Sequence, residues 1–149
     1  MFHLFKHRAN AEKEKVAIAY EKGRKVGDDI LAVADEFFDP RIKLTSDRMT
    51  AIFHEQLAKI GSVPEIAPLK HLAVEGEAFA DEYDTAMEHL YSVFTEQCSE
   101  VIKIADMIGI RELLDQYIGQ KIIKAKTDQS AVVVEIMADM AVKLDAAEH

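Results

Sequence analysis

The fold is decided by residues 66–108, which read IAPLKHLAVEGEAFADEYDTAMEHLYSVFTEQCSEVIKIADMI. The apolar positions of this segment recur in alternating steps of three and four: Leu69, Leu72, Gly76, Phe79, Tyr83, Met87, Leu90, Phe94, Cys98, Val101, Ala105 and Ile108. Such spacing lines one stripe of an α-helix and cannot line one face of a strand. Roughly 43 residues form a rod about 64 Å long, and other helices must cover its stripe.

Two helical patterns precede this segment. We expect one helix over residues 10–38, which Asn10 caps and Asp39-Pro40 ends, because proline disfavours helix in the residue before it. A second helix is expected over residues 45–60. The sequence GSVPE at residues 61–65 then forms the clearest break in the chain.

One further helical pattern follows the segment. Gly109 is the best candidate for the turn, and a long helix that bends at Gly109 is the alternative. The pattern from Ile110 onward favours one helix that continues past Thr127, because no glycine or proline forces a break there.

Composition agrees with these patterns. Six glycines and three prolines in 149 residues are too few for a strand-rich domain. We therefore predict an all-α protein, an antiparallel helical bundle of four to five helices that includes one or two unusually long ones. Residues 1–149 are expected to form a single domain, with residues 1–8 as a flexible or docking leader.

Charge and hydropathy limit the partners and the compartment. A net charge of −9 argues against general affinity for nucleic acid, which needs clustered Lys and Arg. No window reaches the ~18 apolar residues of a membrane-spanning helix, and residues 1–8 lack the apolar core of a signal peptide. With Cys98 as the sole cysteine, we expect a buried apolar role for its side chain and a reducing, cytoplasmic location.

Features of the first helix indicate contacts with a partner. Val16, Gly23, Ile30 and Phe37 repeat every seven residues, as in a coiled coil. Small residues at every fourth position indicate close approach by a neighbouring helix or a second subunit: Ala19, Gly23 and Gly27. The leader adds candidate docking residues for the bundle, a partner or a membrane surface: Phe2, Leu4 and Phe5.

Helix lengths point to self-association. Predicted helices of about 31 and 15 residues cannot sheath a rod of about 43, so one end would protrude and need a partner. The first hypothesis is therefore a non-enzymatic protein that acts through protein contacts or self-assembly, as a homodimer or higher homo-oligomer without a cofactor. A third hypothesis is a peripheral membrane adaptor that uses the leader.

The second hypothesis is a metal-binding bundle of the ferritin-like or hemerythrin-like kind. Glu75, Glu82, His89 and Glu96 recur every seven residues beside the central stripe, and a facing helix would add His54 and Glu55 as ligands for iron, manganese or zinc. The sequence has no Glu-x-x-His motif, which di-iron bundles use twice. The competing interpretation is a solvated acidic flank.

Two charged clusters complete the pattern. Acidic residues crowd one segment and offer a docking face for a basic partner: Glu75, Glu77, Asp81, Glu82, Asp84 and Glu88. Lys121, Lys124 and Lys126 are expected to pair with acidic residues on a neighbouring helix or subunit. Neither a nucleophile elbow nor a phosphate-binding glycine motif is present, so the sequence offers no basis for an enzymatic activity.

Overall fold

The protein is described here by a computed structural model, which places the backbone of residues 2–60 and 68–148 and the side chains of residues 13–59, 72–143 and 146. The described residues form no strand and fold into four helices: α1 (Phe2–Ile60), α2 (Pro68–Gln97), α3 (Ser99–Met107) and α4 (Arg111–Glu148). The predicted all-α class with long helices is confirmed.

Helix α1 runs antiparallel to α2. The ring of Phe38 lies 5.0 Å from that of Phe94, and further along α1 the ring of Phe53 lies 4.8 Å from that of Phe79. Residue numbers therefore rise along α1 as they fall along α2. Aromatic pairs at these separations stabilise the interface beyond the apolar area that they bury.

Helix α4 runs parallel to α1 and antiparallel to α2. Tyr117 donates a hydrogen bond of 2.7 Å to Asp35, and Gln129 donates one of 2.6 Å to Thr50, so residue numbers rise together along the two helices. The three rods α1, α2–α3 and α4 thus form an antiparallel bundle.

The bundle core consists of two buried clusters, one toward each end. The cluster near the α3–α4 turn contains Ile30, Ala34, Phe37, Phe38, Phe94, Ala105, Leu114 and Ile118. The cluster near the opposite end contains Phe53, Leu57, Leu72, Phe79, Tyr83, Met87, Ala125 and Val133. These side chains come from all three rods, so none of the rods can leave without exposing the core.

The predicted helix stop at Asp39-Pro40 is wrong, because α1 passes through Pro40 without a break. Phe37 and Phe38, the two residues just before Asp39-Pro40, are buried in the core. Their packing outweighs the free-energy cost of placing proline inside a helix. The side chain of Arg41 donates a hydrogen bond of 3.0 Å to the carbonyl oxygen of Phe37 and lies 4.0 Å above its ring. The carbonyl that loses its helical donor at Pro40 is that of Glu36, so the Arg41 contact adds to the packing around Phe37 and does not replace the missing bond.

The predicted N-cap at Asn10 is also wrong, because α1 begins at Phe2. The expected helices over residues 10–38 and 45–60 are therefore one helix of 59 residues. The side chains of Phe2, Leu4 and Phe5 lie outside the described residues, as does the expected break at residues 61–65.

The segment over residues 66–108 divides at Cys98 into α2 and α3. Cys98 has φ −110° and ψ 31°, outside the helical range. The hydrogen bonds continue across it, from the Cys98 amide to the Phe94 carbonyl at 2.8 Å and from the Ile102 amide to the Cys98 carbonyl at 3.1 Å. The rod is therefore bent and not broken, and the half-buried Cys98 packs against the first cluster.

Gly109 forms the turn between α3 and α4, as its sequence position predicted. Its φ of +77° lies in the left-handed region that favours glycine. The Ile110 amide donates to the Ala105 carbonyl at 2.9 Å and the Gly109 amide to the Asp106 carbonyl at 3.3 Å, the pair of bonds that defines a Schellman ending. Helix α4 then continues unbroken past Thr127, which was the favoured interpretation.

Replacing Pro40 by Ala is expected to raise the free energy of unfolding by about 1–3 kcal/mol, because alanine restores an amide donor inside α1. Pro40 is exposed, so the substitution leaves no cavity. Urea unfolding monitored by circular dichroism measures the change. Glu36→Ala, an exposed control on the same helix, should stay within about 0.5 kcal/mol of wild type. Equal stability of Pro40→Ala and wild type would contradict this account.

Candidate interaction surface

Helix α1 extends beyond the bundle at its N-terminal side. Every residue from 13 to 26 is exposed, and among the described side chains of α1 the first buried one is Ile30. The side chain of Ile110, beside the α3–α4 turn, reaches to 3.6 Å from the position of a Cβ on Gly27, and this contact marks the end of the bundle. We call residues 13–26 the overhang. Its 14 residues are about 21 Å long.

The heptad stripe that α1 buries in the core continues onto the overhang. Val16, Tyr20 and Gly23 lie on the same helical face as the buried Ala34. Val16 is 69% exposed and Tyr20 is 74% exposed. A Cβ on Gly23 would have nothing within 4 Å. The overhang therefore presents to solvent the face that the rest of α1 buries.

Basic residues line both edges of the overhang stripe. Lys15 and Lys22, seven positions apart, lie along one edge, and Lys13 and Arg24 lie along the other. Together with Lys25, and against Glu14 and Glu21, they give the overhang five basic and two acidic residues, a net charge of +3. The chain as a whole carries −9, so its charge is strongly uneven.

The small residues predicted to allow close helix approach have different surroundings. Gly27 is half-buried and faces Ile110 of the same chain. Ala19 and Gly23 lie on the exposed overhang. The neighbour of Gly27 is thus a side chain of the α3–α4 turn at an ordinary contact distance, and close approach by a helix or a second subunit stays a prediction at all three positions.

A second apolar surface lies between α2 and α4, near the other end of the bundle. We call it the groove. It has a volume of about 310 Å³ and its floor is formed by Ala73, Gly76, Phe79, Ala80, Tyr83, Val133, Val134 and Met137. The volume is at the lower end of the range for ligand pockets, and Val134 in the floor is 66% exposed.

Close packing at Gly76 brings α2 and α4 together beneath the groove. A Cβ on Gly76 would lie 2.7 Å from the sulfur of Met137, so glycine lets this methionine fill the space between the helices. Tyr83 is buried beside it, where its hydroxyl lies 2.9 Å from Ser46 Oγ. Burial raises the pKa of Tyr83, so the phenol stays neutral in the physiological range.

An acidic row borders the groove on α2. Glu77, Asp81, Asp84 and Glu88 are spaced by three and four residues, so they form one line along the helix, and all four are exposed. Lys126 of α4 reaches across the groove to Asp84, with 3.3 Å between Nζ and Oδ1. Of the six residues in the predicted acidic docking face, Glu77 and Asp84 line this apolar depression, and the docking role stays a prediction.

A group of charged residues fixes α4 against α1. Lys121 Nζ lies 2.6 Å from Asp35 Oδ1 and 2.7 Å from Asp39 Oδ1, and Tyr117 also donates to Asp35. The expected pairing of the α4 lysines with acidic residues on neighbouring helices is confirmed for Lys121 and Lys126. We call Asp35, Asp39, Tyr117 and Lys121 the clasp.

The contacts within the clasp shift the pKa values of Asp35 and Lys121. Hydrogen bonds from Lys121 and then Tyr117 lower the pKa of Asp35, against a smaller opposing effect of burial. For Lys121, burial favours the neutral amine, but hydrogen bonds to Asp35 and Asp39 outweigh it and raise its pKa. Both shifts favour the charged pair.

The residues predicted to bind metal lie on the surface. His54 and Glu55 on α1, and Glu82, His89 and Glu96 on α2, are all exposed. Across the part of the chain that the structure describes, no three or more His, Cys, Asp or Glu side chains converge to hold a metal ion. The exposure of Glu82, His89 and Glu96 agrees with a solvated acidic flank, and the metal site stays a prediction.

Comparison of the chain with protein-family models, with curated proteins and with solved structures finds no match. Among the described helices, none has the length and apolar character needed to cross a membrane. The overhang and the groove are therefore the two features of the chain that bear on its function.

Sequence reasoning identified the face of the overhang and the acidic row, but it missed the groove and the clasp. Val133 and Val134 are about fifty residues from Phe79 and Ala80 in the chain, and no motif links them. The lysines at 121 and 126 gave a partial signal for the clasp, because they predicted acidic partners on a neighbouring helix without identifying those partners.

Replacing Asp35 by Asn is expected to reduce the loss in the free energy of unfolding that accompanies a fall in pH. The folded-state pKa of Asp35 is lowered, so its contribution is present above the unfolded pKa of about 3.9 and is lost as pH falls through the folded value. Its side chain is 41% exposed, so the contribution is about 1 kcal/mol or less.

Urea unfolding at neutral pH and at acid pH measures this effect. Wild type should lose more stability than Asp35→Asn between the two conditions, and Glu135→Gln, an exposed control on α4, should behave as wild type. An identical pH dependence of wild type and Asp35→Asn would refute the role of the clasp.

Proposed function

We propose that this chain is a non-enzymatic interaction protein that self-associates through the overhang of α1. The observation that carries the proposal is the continuation of the core-forming stripe beyond the end of the bundle, with Val16 and Tyr20 more than two-thirds exposed. An exposed apolar stripe of this kind marks an interaction site in a folded protein. The bundle of three rods holds the overhang away from its own core.

The projecting arrangement suits docking on a partner. The overhang continues as the same helix into the bundle, where Ile30, Ala34 and Phe37 are buried. A helix that is anchored along half its length is pre-organised, so a partner need not supply the free energy to order it. Recognition by an amphipathic helix then depends on the side chains at every third and fourth position.

Self-association is tested by the double substitution Val16→Glu and Tyr20→Glu. Sedimentation velocity of the full chain at micromolar concentrations should give a mean mass above the monomer value of 16.7 kDa for wild type. The double variant should return to the monomer, because two carboxylates on the stripe must be desolvated for contact. Dissociation should be at least about tenfold more favourable.

The matched control is Ile18→Glu. Ile18 is 53% exposed and lies on the opposite side of the same helix from Val16, so this variant should associate as wild type does. Circular dichroism checks that all three proteins keep their helix content. A wild-type chain that stays strictly monomeric would contradict the proposal.

The charge of the overhang favours a second candidate function, docking on an anionic membrane surface. Five basic residues beside an apolar stripe are typical of helices that lie in the lipid interface, and each adds to attraction toward anionic headgroups. The leader residues Phe2, Leu4 and Phe5 are the further apolar side chains that this candidate would use.

Flotation with phosphatidylserine-containing vesicles and with neutral phosphatidylcholine vesicles tests the membrane candidate. Under it, wild type floats with the anionic vesicles only, and a variant that lacks residues 1–8 loses binding. Unchanged flotation after the deletion, or no flotation of wild type, would exclude lipid docking through the leader.

A further inference from the structure

We infer that the groove between α2 and α4 is the acceptor for the overhang of a second copy of this chain, so that copies assemble head to tail. The inference rests on the proposed self-association and names the surface that receives the overhang. Three observations carry it: the chemistry of the groove floor, the acidic row at its rim, and the basic edges of the overhang.

The apolar parts of the two surfaces match. Val16 and Tyr20 would occupy a depression whose floor includes Val133, Val134 and Ala80. On α2 the groove extends from Ala73 to Asp84, about 18 Å of helix, and the overhang is about 21 Å long. Amphipathic helices dock in hydrophobic grooves in this way, with anchors one turn apart.

The charges match in sign and in spacing. Lys15 and Lys22 lie seven residues apart on one edge of the overhang, and Glu77 and Asp84 lie seven residues apart on the groove rim. Both spacings correspond to about 10.5 Å along a helix axis. Two parallel rows of opposite charge can therefore meet along one contact, which favours the pairing and steers the encounter.

Pairing of two overhangs with each other lacks this complementarity. Both edges of the stripe are basic, with Lys15 and Lys22 on one side and Lys13 and Arg24 on the other. Parallel and antiparallel pairs of overhangs both place lysines beside lysines, and like charges across an interface disfavour it. The acidic row beside the groove of a second copy presents charges of the opposite sign to these lysines.

Donor and acceptor lie on different parts of one chain, so the interface is heterologous and can repeat from copy to copy. Two variants that each lose one surface separate this arrangement from a symmetric pair. The overhang variant carries Val16→Glu and Tyr20→Glu, and the groove variant carries Val134→Glu. Val134 is exposed in the groove floor, so its substitution leaves the buried core intact.

Sedimentation velocity of each variant alone should give a monomer, with dissociation at least about tenfold more favourable than for wild type. An equimolar mixture should form a one-to-one complex at twice the monomer mass of 16.7 kDa and nothing larger. The mixture retains one intact overhang on one variant and one intact groove on the other, so only a single head-to-tail contact can form.

Val142→Glu is the matched control for the groove variant. Val142 is a valine on α4 with 69% exposure, and it does not line the groove, so this variant should assemble as wild type does. Increasing salt should weaken assembly of wild type, because the charged rows are exposed and screened. Circular dichroism confirms that every variant is folded.

Each outcome decides between the alternatives. A groove variant that self-associates as wild type does, or a mixture that stays monomeric, would overturn the head-to-tail inference while self-association stands. A strictly monomeric wild type would instead overturn the proposed function itself. Binding of wild type to anionic vesicles without self-association would assign the overhang to a lipid surface and overturn the inference.

Charge reversal gives an independent test of the register. Lys15→Glu with Lys22→Glu should abolish assembly, and adding Glu77→Lys and Asp84→Lys to the same chain should restore it. In that fourfold variant no copy keeps the wild-type overhang edge or the wild-type rim, so only the reversed charges can pair. Asp84 also pairs with Lys126 at 3.3 Å, but an ion pair this exposed contributes little to the stability of the fold. Failure of the fourfold variant to assemble would refute the predicted contact between the two rows.

Discussion

The difference in length between the three rods determines the rest of this structure. Helix α1 has 59 residues, about 88 Å, whereas α4 has 38 residues, about 57 Å. The far end of the bundle is closed, since Leu57 near the end of α1 packs with Leu72 near the start of α2. All the excess length of α1 therefore extends past the α3–α4 turn. The overhang is a consequence of where Gly109 turns the chain back.

Within the bundle, polar contacts fix the register that apolar packing leaves free to slide. The clasp ties α4 to α1 near the turn, and the hydrogen bond from Gln129 to Thr50 ties the same helices further along. Gln129 is buried, and a buried amide without a partner would cost about 1–3 kcal/mol. A shift of one residue would break both contacts at once. The parallel alignment of α1 and α4 is thus specified by charge and hydrogen bonding.

The sequence predicted those parts of the fold that depend on local periodicity or on one special residue. The helical class, the turn at Gly109 and the passage of α4 through Thr127 follow from spacing and backbone freedom. Pro40 could not be predicted correctly from its neighbours, because the aromatic packing of Phe37 and Phe38 onto Phe94 decides against the local preference. The irregular backbone at Cys98 is not marked in the sequence by a glycine or a proline.

The same reasoning explains which parts of the candidate site were found. The overhang stripe is contiguous in sequence, so its face could be predicted, as could the acidic row on α2. The position of this face beyond the bundle could not be predicted, because it requires α1 to continue through Pro40 and to be longer than the other rods. The expected protruding rod was residues 66–108 instead. The groove combines α2 with α4, and only tertiary packing places Val134 beside Ala80.

The charge of the chain is unevenly distributed, and the overhang and the acidic row beside the groove have opposite signs. The overhang carries +3 within a chain of net charge −9, so the rest of the molecule is more acidic than the total implies. In the proposed head-to-tail assembly, the acidic bodies of two copies repel each other while the basic overhang attracts the body of the next copy, and this favours the orientation that places a basic edge against an acidic row. In this assembly the acidic row would pair with the basic edges of the overhang, and the apolar floor would cover its apolar stripe. Either feature by itself would leave the charged edges or the apolar centre of the overhang without a complement.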